Sequence, residues 1–281
     1  MLSYRHGYHA GNFADVHKHI LLTLMVQALL RKDAPFCYLD THAGAGFYDL
    51  HSEFARQNTE YQNGIGRLWR RQDVPPEINS YLEAVYALHP DQKNLRYYPG
   101  SPRLVHYFLR PQDRMILTEL HSSDFPLLKK EFAGDRQVAV HFQDGYLGLK
   151  SFLPPKERRG LVLIDPAYEL KDEFERATTA LHMAWKRWET GVFALWYPIL
   201  TRHVIDRFHR RLKATGIRKM LLAELIVVPD DVPNRLNGSG MIIVNPPWHL
   251  QQQIEKINPW LAETLALDKK GKAKIEWLVP E

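Results

Sequence analysis

The sequence predicts an α/β protein built on a seven-stranded, mostly parallel sheet whose last strand is antiparallel. Three observations support this fold class. Apolar segments with strand character alternate with segments whose apolar residues recur at helical spacing. Residues 161–164 are apolar throughout, as in a parallel strand buried on both faces. The last two strand candidates are joined through residues 229–240 without a helical pattern, which favours an antiparallel pair.

The elements follow in a regular order. A helix is predicted first, over residues 14–32, where Val16, Ile20 and Leu24 recur at helical spacing. Asn12, with Asp15 three residues later, provides a cap for its N-terminus. Further helices are predicted at residues 125–132, 174–188 and 203–214. Strands are predicted at residues 36–40, 115–119, 138–142, 161–165, 192–197, 219–228 and 241–245.

The connection after the first strand is longer than a crossover requires. Between Gly46 and Met115 lie 68 residues, whereas a strand–helix–strand unit takes roughly 30. The excess contains two helical patterns, near residues 61–71 and 77–88, separated by two consecutive prolines. We therefore expect one domain over residues 1–281, with a small helical insertion at residues 48–100. The insertion would lie beside the edge of the sheet at which a cofactor would bind, where an element that grips the substrate is useful.

Composition narrows the class of protein. The formal charge of +5 is mildly basic, which suits a polyanionic partner. Cys37 is the only cysteine, which excludes an internal disulfide and a paired-cysteine zinc site and favours a reducing cytoplasm. The N-terminus lacks the apolar core of a signal peptide, and no apolar run reaches membrane-spanning length. We expect a cytoplasmic protein without a membrane partner.

A glycine-containing turn follows the first strand. The segment Asp40-Thr41-His42-Ala43-Gly44-Ala45-Gly46 would let the backbone approach a ligand closely, with Gly44 in the cofactor site. A dinucleotide-binding fingerprint requires a third glycine three residues after the second, and Asp49 occupies that position. The incomplete fingerprint disfavours a nicotinamide-dependent oxidoreductase.

Acidic residues end the next three strands. Glu119 is placed to hold the hydroxyls of a ribose, and Asp144, followed by Gly145, to accept from an adenine amine. Asp165 ends the fourth strand. Acids are common turn residues at strand ends, but the carboxyl ends of parallel strands meet at one edge of the sheet. Their recurrence therefore favours one ligand-binding crevice.

The segment Asp165-Pro166-Ala167-Tyr168 indicates the chemistry. Asp165 can accept one N–H of an exocyclic amine and the Pro166 carbonyl the other, which directs the nitrogen lone pair towards a methyl donor. Tyr168 can stack on the base. This combination, on a seven-stranded sheet with an antiparallel last strand, predicts a Rossmann-like methyltransferase that modifies an amino group.

Several motifs recur together in one family. They are Leu2-Ser3-Tyr4-Arg5-His6, His9-Ala10-Gly11-Asn12, the Asp40–Gly46 turn, Tyr97-Tyr98-Pro99-Gly100-Ser101-Pro102, Leu117-Thr118-Glu119-Leu120-His121, Asp165-Pro166-Ala167-Tyr168, Ala194-Leu195-Trp196-Tyr197-Pro198 and Asn245-Pro246-Pro247-Trp248. Over nearly its whole length the chain resembles the RlmJ family of 23S ribosomal RNA adenine-N6 methyltransferases. The family has Asp-Pro-Pro-Tyr where this chain has Ala167, which affects the stiffness of the loop rather than the reaction.

The resemblance implies S-adenosylmethionine as the methyl donor and 23S ribosomal RNA as the partner. Separately, we expect a monomer without a metal. The cofactor contacts that the resemblance implies are His19, His42, Ser101, Glu119, Asp144, Gly145 and Asp165, with Lys18 placed to face the methionine carboxylate. Asp165, Pro166 and Tyr168 would be catalytic, with Asp165 accepting the amine proton. Tyr4 would contact the RNA.

Some features admit other interpretations. Asn245-Pro246-Pro247-Trp248 also matches an amine-methylating pattern, but an antiparallel strand would place it at the opposite edge of the sheet. The histidines of residues 6–19 lack the acids or cysteines of a metal site. The basic residues of 202–213 are either a solvated face or an RNA contact. We expect residues 269–274 to form a solvated turn, and Trp185, Trp188 and Trp196 to belong to packing surfaces.

Two other functions remain open. A DNA adenine-N6 methyltransferase would use the same amine site. A non-catalytic RNA-binding module on the same fold is the second alternative, and the presence of Asp165 and Tyr168 argues against it.

Overall fold

The computed structural model describes residues 5–91, 93–229, 232, 235–268 and 270–281. Strands within these residues are β1 Cys37–Asp40, β2 Phe47–Asp49, β3 Tyr97–Pro99, β4 Arg114–Glu119, β5 Val138–Phe142, β6 Gly160–Ile164, β7 Val192–Ile199, β8 Met220–Ile226, β9 Gly238–Val244 and β10 Lys272–Val279. The helices are α1 Phe13–Leu30, α2 Glu53–Asn58, α3 Ile65–Leu68, α4 Asn79–Tyr86, α5 Ser101–His106, α6 Asp124–Glu131, α7 Gly145–Phe152, α8 Glu173–Arg187, α9 Arg202–Ala214 and α10 Leu250–Leu265.

The main sheet confirms the predicted fold class. Its strand order is β10-β8-β9-β7-β6-β1-β4-β5, and β5, β4, β1, β6 and β7 are parallel. Strand β9 lies between β7 and β8 and is antiparallel to both. All seven predicted strands are present. Six of them are largely buried on both faces of the sheet, whereas β5, at the edge, is only partly buried. The chain order reverses direction beside β1, so the carboxyl ends of β1 and β6 open onto a crevice.

An eighth strand at the edge corrects one prediction. Residues 269–274 were expected to form a solvated turn, but β10 begins at Lys272 and pairs antiparallel with β8. The charged residues Lys272, Lys274 and Glu276 alternate with Ala273 and Ile275, which is the period of a strand. Charged side chains are typical of an edge strand because they discourage further pairing. The lysine cluster concealed this alternation; Lys269 itself lies outside the described residues.

The segment between β1 and β4 docks against the rest of the molecule. Strands β2 and β3 form a separate antiparallel pair, and helices α2, α3 and α4 lie between them in sequence. Helix α3 is shorter than predicted because Gly64 packs against the N-terminal segment, where a Cβ would lie 2.1 Å from the Gly11 carbonyl oxygen. The Arg67 guanidinium donates to the backbone carbonyls of Thr264 and Ala266, at the end of α10.

Helix α1 is buried on nearly every side. Asn12 caps it as predicted, because its Oδ1 accepts from the backbone amides of Ala14 and Asp15. Among the described helices, α1 is the one long and apolar enough to cross a membrane, although 83% of it is buried inside the fold, as in a core helix. The sequence shows no uninterrupted apolar run here, because Asp15 and Lys18 lie among the apolar residues of the helix. Those two side chains lie below the carboxyl ends of the central strands.

Candidate active site

A cavity of about 490 Å³ lies at the carboxyl ends of the parallel strands. This volume is within the range of small-molecule sites, about 300–1,000 Å³. The cavity brings together the described residues that the sequence assigned to the site: Lys18, His19, His42, Gly44, Ser101, Glu119, Asp144, Gly145, Asp165, Pro166 and Tyr168. Tyr4, the predicted RNA contact, lies outside the described residues.

The turn after β1 is fixed to the end of β4. Gly44 has a φ of 60°, and its N–H donates to Glu119 Oε2 at 2.7 Å. The other carboxylate oxygen of Glu119 accepts from the His121 amide at 2.6 Å. Burial raises the pKa of Glu119. A Cβ on Gly44 would lie 2.4 Å from the Tyr48 hydroxyl, so this position requires glycine.

The start of α7 brings Asp144 into the same cavity. Asp144 Oδ1 accepts from the backbone amides of Tyr146 and Leu147, at 2.9 and 3.0 Å, and so caps the helix. Its second oxygen is 4.0 Å from the Arg176 guanidinium. Gly145 lies against the β1 turn, where a Cβ would be 2.1 Å from the Thr41 carbonyl oxygen. Packing therefore requires a glycine at this position, and its small size lets α7 approach the turn after β1.

The end of β1 supplies an acid that the sequence analysis did not assign to the site. Asp40 Oδ2 accepts from the Ser101 hydroxyl at 2.6 Å and from the Tyr38 hydroxyl at 2.7 Å. Burial raises the pKa of Asp40 to about 6. Asp40 thereby orients Ser101 at the start of α5. In the sequence, Asp40 could have been recognised by its position at the end of a strand, which it shares with Glu119 and Asp165.

Two neutral histidines line the cavity. Burial lowers the pKa of His42 to about 4 and that of His19 to about 3. His19 Nδ1 is 2.8 Å from the Tyr98 hydroxyl, which is 3.0 Å from the Tyr81 hydroxyl. When Tyr81 donates to Tyr98 and Tyr98 donates to His19, the proton of His19 resides on Nε2.

His19 Nε2 is buried and has no hydrogen-bond partner among the described residues. Buried polar atoms are rarely left unpaired. A donor in this position fits the carboxylate of an amino-acid ligand. The methionine end of S-adenosylmethionine carries such a group, so the residues present fit this donor.

A buried ion cluster holds Asp165. Lys18 Nζ is 2.7 Å from Asp165 Oδ2 and 2.8 Å from Asp15 Oδ1. Asp15 Oδ2 in turn accepts from His6 Nε2 at 2.8 Å. Burial alone would lower the pKa of Lys18, but Asp15 and Asp165 on either side raise it overall, so the side chain is an ammonium ion. The sequence placed Lys18 against the methionine carboxylate, whereas in this structure both of its ion pairs are with protein carboxylates.

The loop after β6 holds its aromatic residue in a constrained conformation. Tyr168 has a φ of 53°, which is uncommon for a bulky residue and typical of functional loops. Its hydroxyl donates to the Trp196 carbonyl at 2.7 Å, and its ring centroid is 4.6 Å from that of Phe174. Trp196 also lines the cavity, which the assignment of this residue to a packing surface did not anticipate. Ala167 lines the cavity beside them.

The charge of the lining is opposite to that of the whole chain. Two basic side chains, Lys18 and Arg176, face seven acidic ones: Asp15, Glu119, Asp124, Asp144, Asp165, Glu169 and Glu173. A strongly acidic cavity repels phosphate groups and favours a cationic ligand. A sulfonium compound satisfies this requirement, whereas a nucleotide with a phosphate chain does not.

The second amine-methylating pattern lies elsewhere. Asn245 follows the antiparallel strand β9 and is therefore at the opposite edge of the sheet from the cavity. Its side-chain amide donates to the carbonyls of Glu189 and Gly191 at 2.7 and 2.8 Å, which is a structural role. Across the described part of the chain, no group of three or more histidine, cysteine or acidic side chains is arranged to hold a metal ion.

The chain matches a family of known proteins. A family model described as ribosomal RNA large subunit methyltransferase D, RlmJ, matches residues 33–279. The chain belongs to this family. It is similar to the ribosomal RNA large subunit methyltransferase J of Escherichia coli K12, with 48% identity over 281 residues and complete coverage of both chains. The protein of the same description from Haemophilus influenzae is 47% identical over the same length.

A solved member of the same fold supports the architecture. The crystal structure of protein LPL1258 from Legionella pneumophila superposes with a TM-score of 0.87 and 34% sequence identity. The match covers 96% of this chain and 98% of that one. The two chains therefore share one fold over nearly their whole length.

Proposed function

We propose that the protein transfers a methyl group from S-adenosylmethionine to the N6 amine of an adenine in 23S ribosomal RNA. One observation carries the proposal: Asp165, Pro166 and Tyr168 lie in the same cavity as the glycine turn and the strand-end acids of the cofactor site. Membership of a ribosomal RNA methyltransferase family supports the substrate class.

Each part of the cavity suits one part of the donor. When bound, S-adenosylmethionine supplies a methyl group on a positively charged sulfonium. Glu119 would accept from the ribose hydroxyls, and Asp144 from the adenine amine with the oxygen that does not cap α7. His19 and Ser101 would hold the methionine end, and His42 would contact the donor beside the glycine turn. The acidic lining stabilises the positive charge.

The loop after β6 would orient the target amine. Asp165 has one oxygen bound to Lys18, and its second oxygen would accept an N–H of the adenine. The Pro166 carbonyl would accept the other N–H, which favours a pyramidal nitrogen. Tyr168 would stack on the base, an interaction worth about 1–3 kcal/mol. Alignment of the nitrogen with the methyl group is then the main source of rate enhancement.

Lys18 would hold the Asp165 carboxylate in place. Its ammonium lies 2.7 Å from one carboxylate oxygen and so fixes the orientation of the group. As the nitrogen gains the methyl group its remaining protons become acidic, and Asp165 would accept one of them.

The target adenine must be unpaired or extruded from a helix, because N6 of a paired adenine is engaged in base pairing. Leu170 and Leu200 line the cavity and are partly exposed, so they are suited to pack against the nucleotides that flank the target. Helix α9 begins two residues after Leu200 and carries a basic surface for the phosphates. We assign substrate gripping to residues 48–100, and we propose a monomer that works in the cytoplasm.

Tritium transfer tests the proposal. Purified protein and labelled S-adenosylmethionine are incubated with unmodified 23S RNA or with adenine-containing DNA, and the product nucleoside is identified by mass spectrometry. Label should enter RNA as N6-methyladenosine. Label in DNA alone would support a DNA methyltransferase, and binding without transfer would support an RNA-binding module.

Asp165→Ala should abolish transfer while RNA binding remains within about threefold, because the carboxylate acts on the amine rather than on the RNA backbone. Asp33→Ala removes an exposed acid before β1, at the opposite edge, and is the matched control. Unchanged turnover in Asp165→Ala would exclude the mechanism.

A further inference from the structure

A buried hydroxyl fixes the tryptophan at the cavity wall. Trp196 Nε1 donates to Ser239 Oγ at 2.9 Å, and His17 Nδ1 lies 2.9 Å from the same oxygen. Ser239 is fully buried in β9, and His17 is 1% exposed on α1. Because burial lowers the pKa of His17 to about 3, its ring is neutral. One hydrogen bond, to a serine that His17 also contacts, therefore fixes the plane of the indole.

The indole meets the residues of the transfer site on its other side. Lys18 Nζ lies 5.6 Å from the centre of the Trp196 ring, within the range of a cation–π contact. The same ammonium is bound to Asp165. The Tyr168 ring packs against Trp196 with centroids 5.9 Å apart and planes at 69°, and its hydroxyl donates to the Trp196 carbonyl. Trp196 thus contacts both the cation beside Asp165 and the aromatic residue of the same loop.

The contacts give Trp196 a role that packing alone does not explain. An apolar residue at position 239 would leave the indole N–H of Trp196 and Nδ1 of His17 without this partner. The serine there pairs an indole N–H that would otherwise be unsatisfied. A fixed indole face restricts where the flexible Lys18 side chain can place its charge. The position of that charge decides where the Asp165 carboxylate is held.

We propose that Trp196, oriented by Ser239 and His17, is a positioning residue that holds the Lys18 ammonium against Asp165. This inference rests on the proposed function only for its kinetic consequences. The contact between Trp196 and Lys18 can be measured without catalysis.

Loss of the indole should displace the Lys18 ammonium. Lys18 is the cation in direct contact with the Asp165 carboxylate, and Asp15 lies behind it on α1. A less restrained ammonium no longer fixes that carboxylate where it would meet the target amine, so kcat should fall.

The test compares Trp196→Leu, Trp196→Phe and Ser239→Ala with the wild-type protein. Trp196→Leu should lower kcat about tenfold, the size expected for loss of a desolvated cation–π contact, with S-adenosylhomocysteine affinity changed less than about twofold. Trp196→Phe keeps an aromatic face and should restore most of the rate. Ser239→Ala should give a smaller loss.

Nuclear magnetic resonance separates this inference from the proposed function. Protons at the end of the Lys18 side chain should show a ring-current shift that disappears in Trp196→Leu and persists in Trp196→Phe. Trp248→Leu, which removes an exposed indole at the opposite edge of the sheet, is the matched control and should change neither readout.

A wild-type protein that makes no N6-methyladenosine would refute the proposed function while leaving the resonance test intact. Unshifted Lys18 resonances in the wild type would overturn the inference, as would an equal loss of rate in all three variants.

Discussion

At the scale of single residues, the site depends on charges that are buried and paired. Lys18 is surrounded by two carboxylates in a helix that is otherwise apolar, and each partner satisfies the others. Removal of one member of a buried ion pair destabilises a protein by more than the intact pair stabilises it. The remaining charge is then buried with neither a partner nor water.

Lys18→Met should therefore lower the free energy of unfolding by about 3–5 kcal/mol. Urea denaturation measures this change, and Lys32→Met, at an exposed position after α1, is the control that should stay within about 0.5 kcal/mol of wild type. A loss of the same small size in both variants would contradict the account of the cluster.

The same cluster predicts an acid dependence of stability. Burial would raise the pKa of Asp15, but His6 and Lys18 outweigh it, so the pKa lies well below the ordinary value. A carboxyl with a lowered pKa stabilises the folded state above its unfolded value of about 4 and loses that contribution as the pH falls further. Between about pH 4 and pH 2 the wild type should lose more stability than Asp15→Asn, as urea titrations at each pH would measure. Parallel pH curves for the two proteins would argue against it.

The pKa of Asp40 is shifted in the opposite direction from that of Asp15. Burial raises its pKa to about 6, while the Ser101 hydroxyl stabilises its charged form. Ser101→Ala should therefore raise the midpoint further, by about one unit. Carbon-13 resonance of the Asp40 carboxyl follows the titration directly. A midpoint at or below that of the wild type would show that Ser101 does not donate to this carboxylate.

At the scale of elements, close backbone contacts position the cofactor edge. Helix α7 approaches the β1 turn so closely that Gly145 has no room for a side chain. Gly145→Ala must displace α7 or the turn, at a cost of about 1–3 kcal/mol, and should weaken S-adenosylhomocysteine binding. Calorimetry and thermal unfolding measure the two effects. Gly7→Ala is the control, because its Cβ would have no neighbour closer than 3.8 Å. Equal behaviour of the two variants would contradict the steric argument.

A single arginine links the segment between β1 and β4 to α10. Arg67 pairs with carbonyls at the end of that helix, and charge-assisted hydrogen bonds contribute about 1.5–3 kcal/mol. Arg67→Met should accelerate hydrogen exchange in α3 and at the end of α10, whereas Arg56→Met, at an exposed position of α2, should not. Unchanged exchange at both places would mean that the segment is held by its other contacts.

The elements also explain what the sequence could predict. Strands β1, β4, β6, β7 and β9 were predictable because a strand buried on both faces must be apolar throughout. Strand β10 was missed because an edge strand carries charges that resemble those of a turn. The length of α3 was not predictable, because Gly64 is required by a contact with a residue far away in sequence.

At the scale of the whole molecule, the strand-end acids were predictable because sheet topology gathers the carboxyl ends of parallel strands at one edge. The roles of Asp40, Trp196 and Ser239 were not, because each follows from a contact between distant elements. The chain as a whole is basic, while its cavity is acidic. This division suits an enzyme whose surface approaches a polyanion and whose interior binds a small cation.

The most direct measurement is a map of modified adenosines in 23S RNA, obtained by mass spectrometry from cells that lack the protein. The account predicts that one N6-methyladenosine disappears, returns with the wild-type gene and does not return with Asp165→Ala. An unchanged map, or full restoration by the Asp165→Ala variant, would contradict the claim that this carboxylate directs methyl transfer to ribosomal RNA.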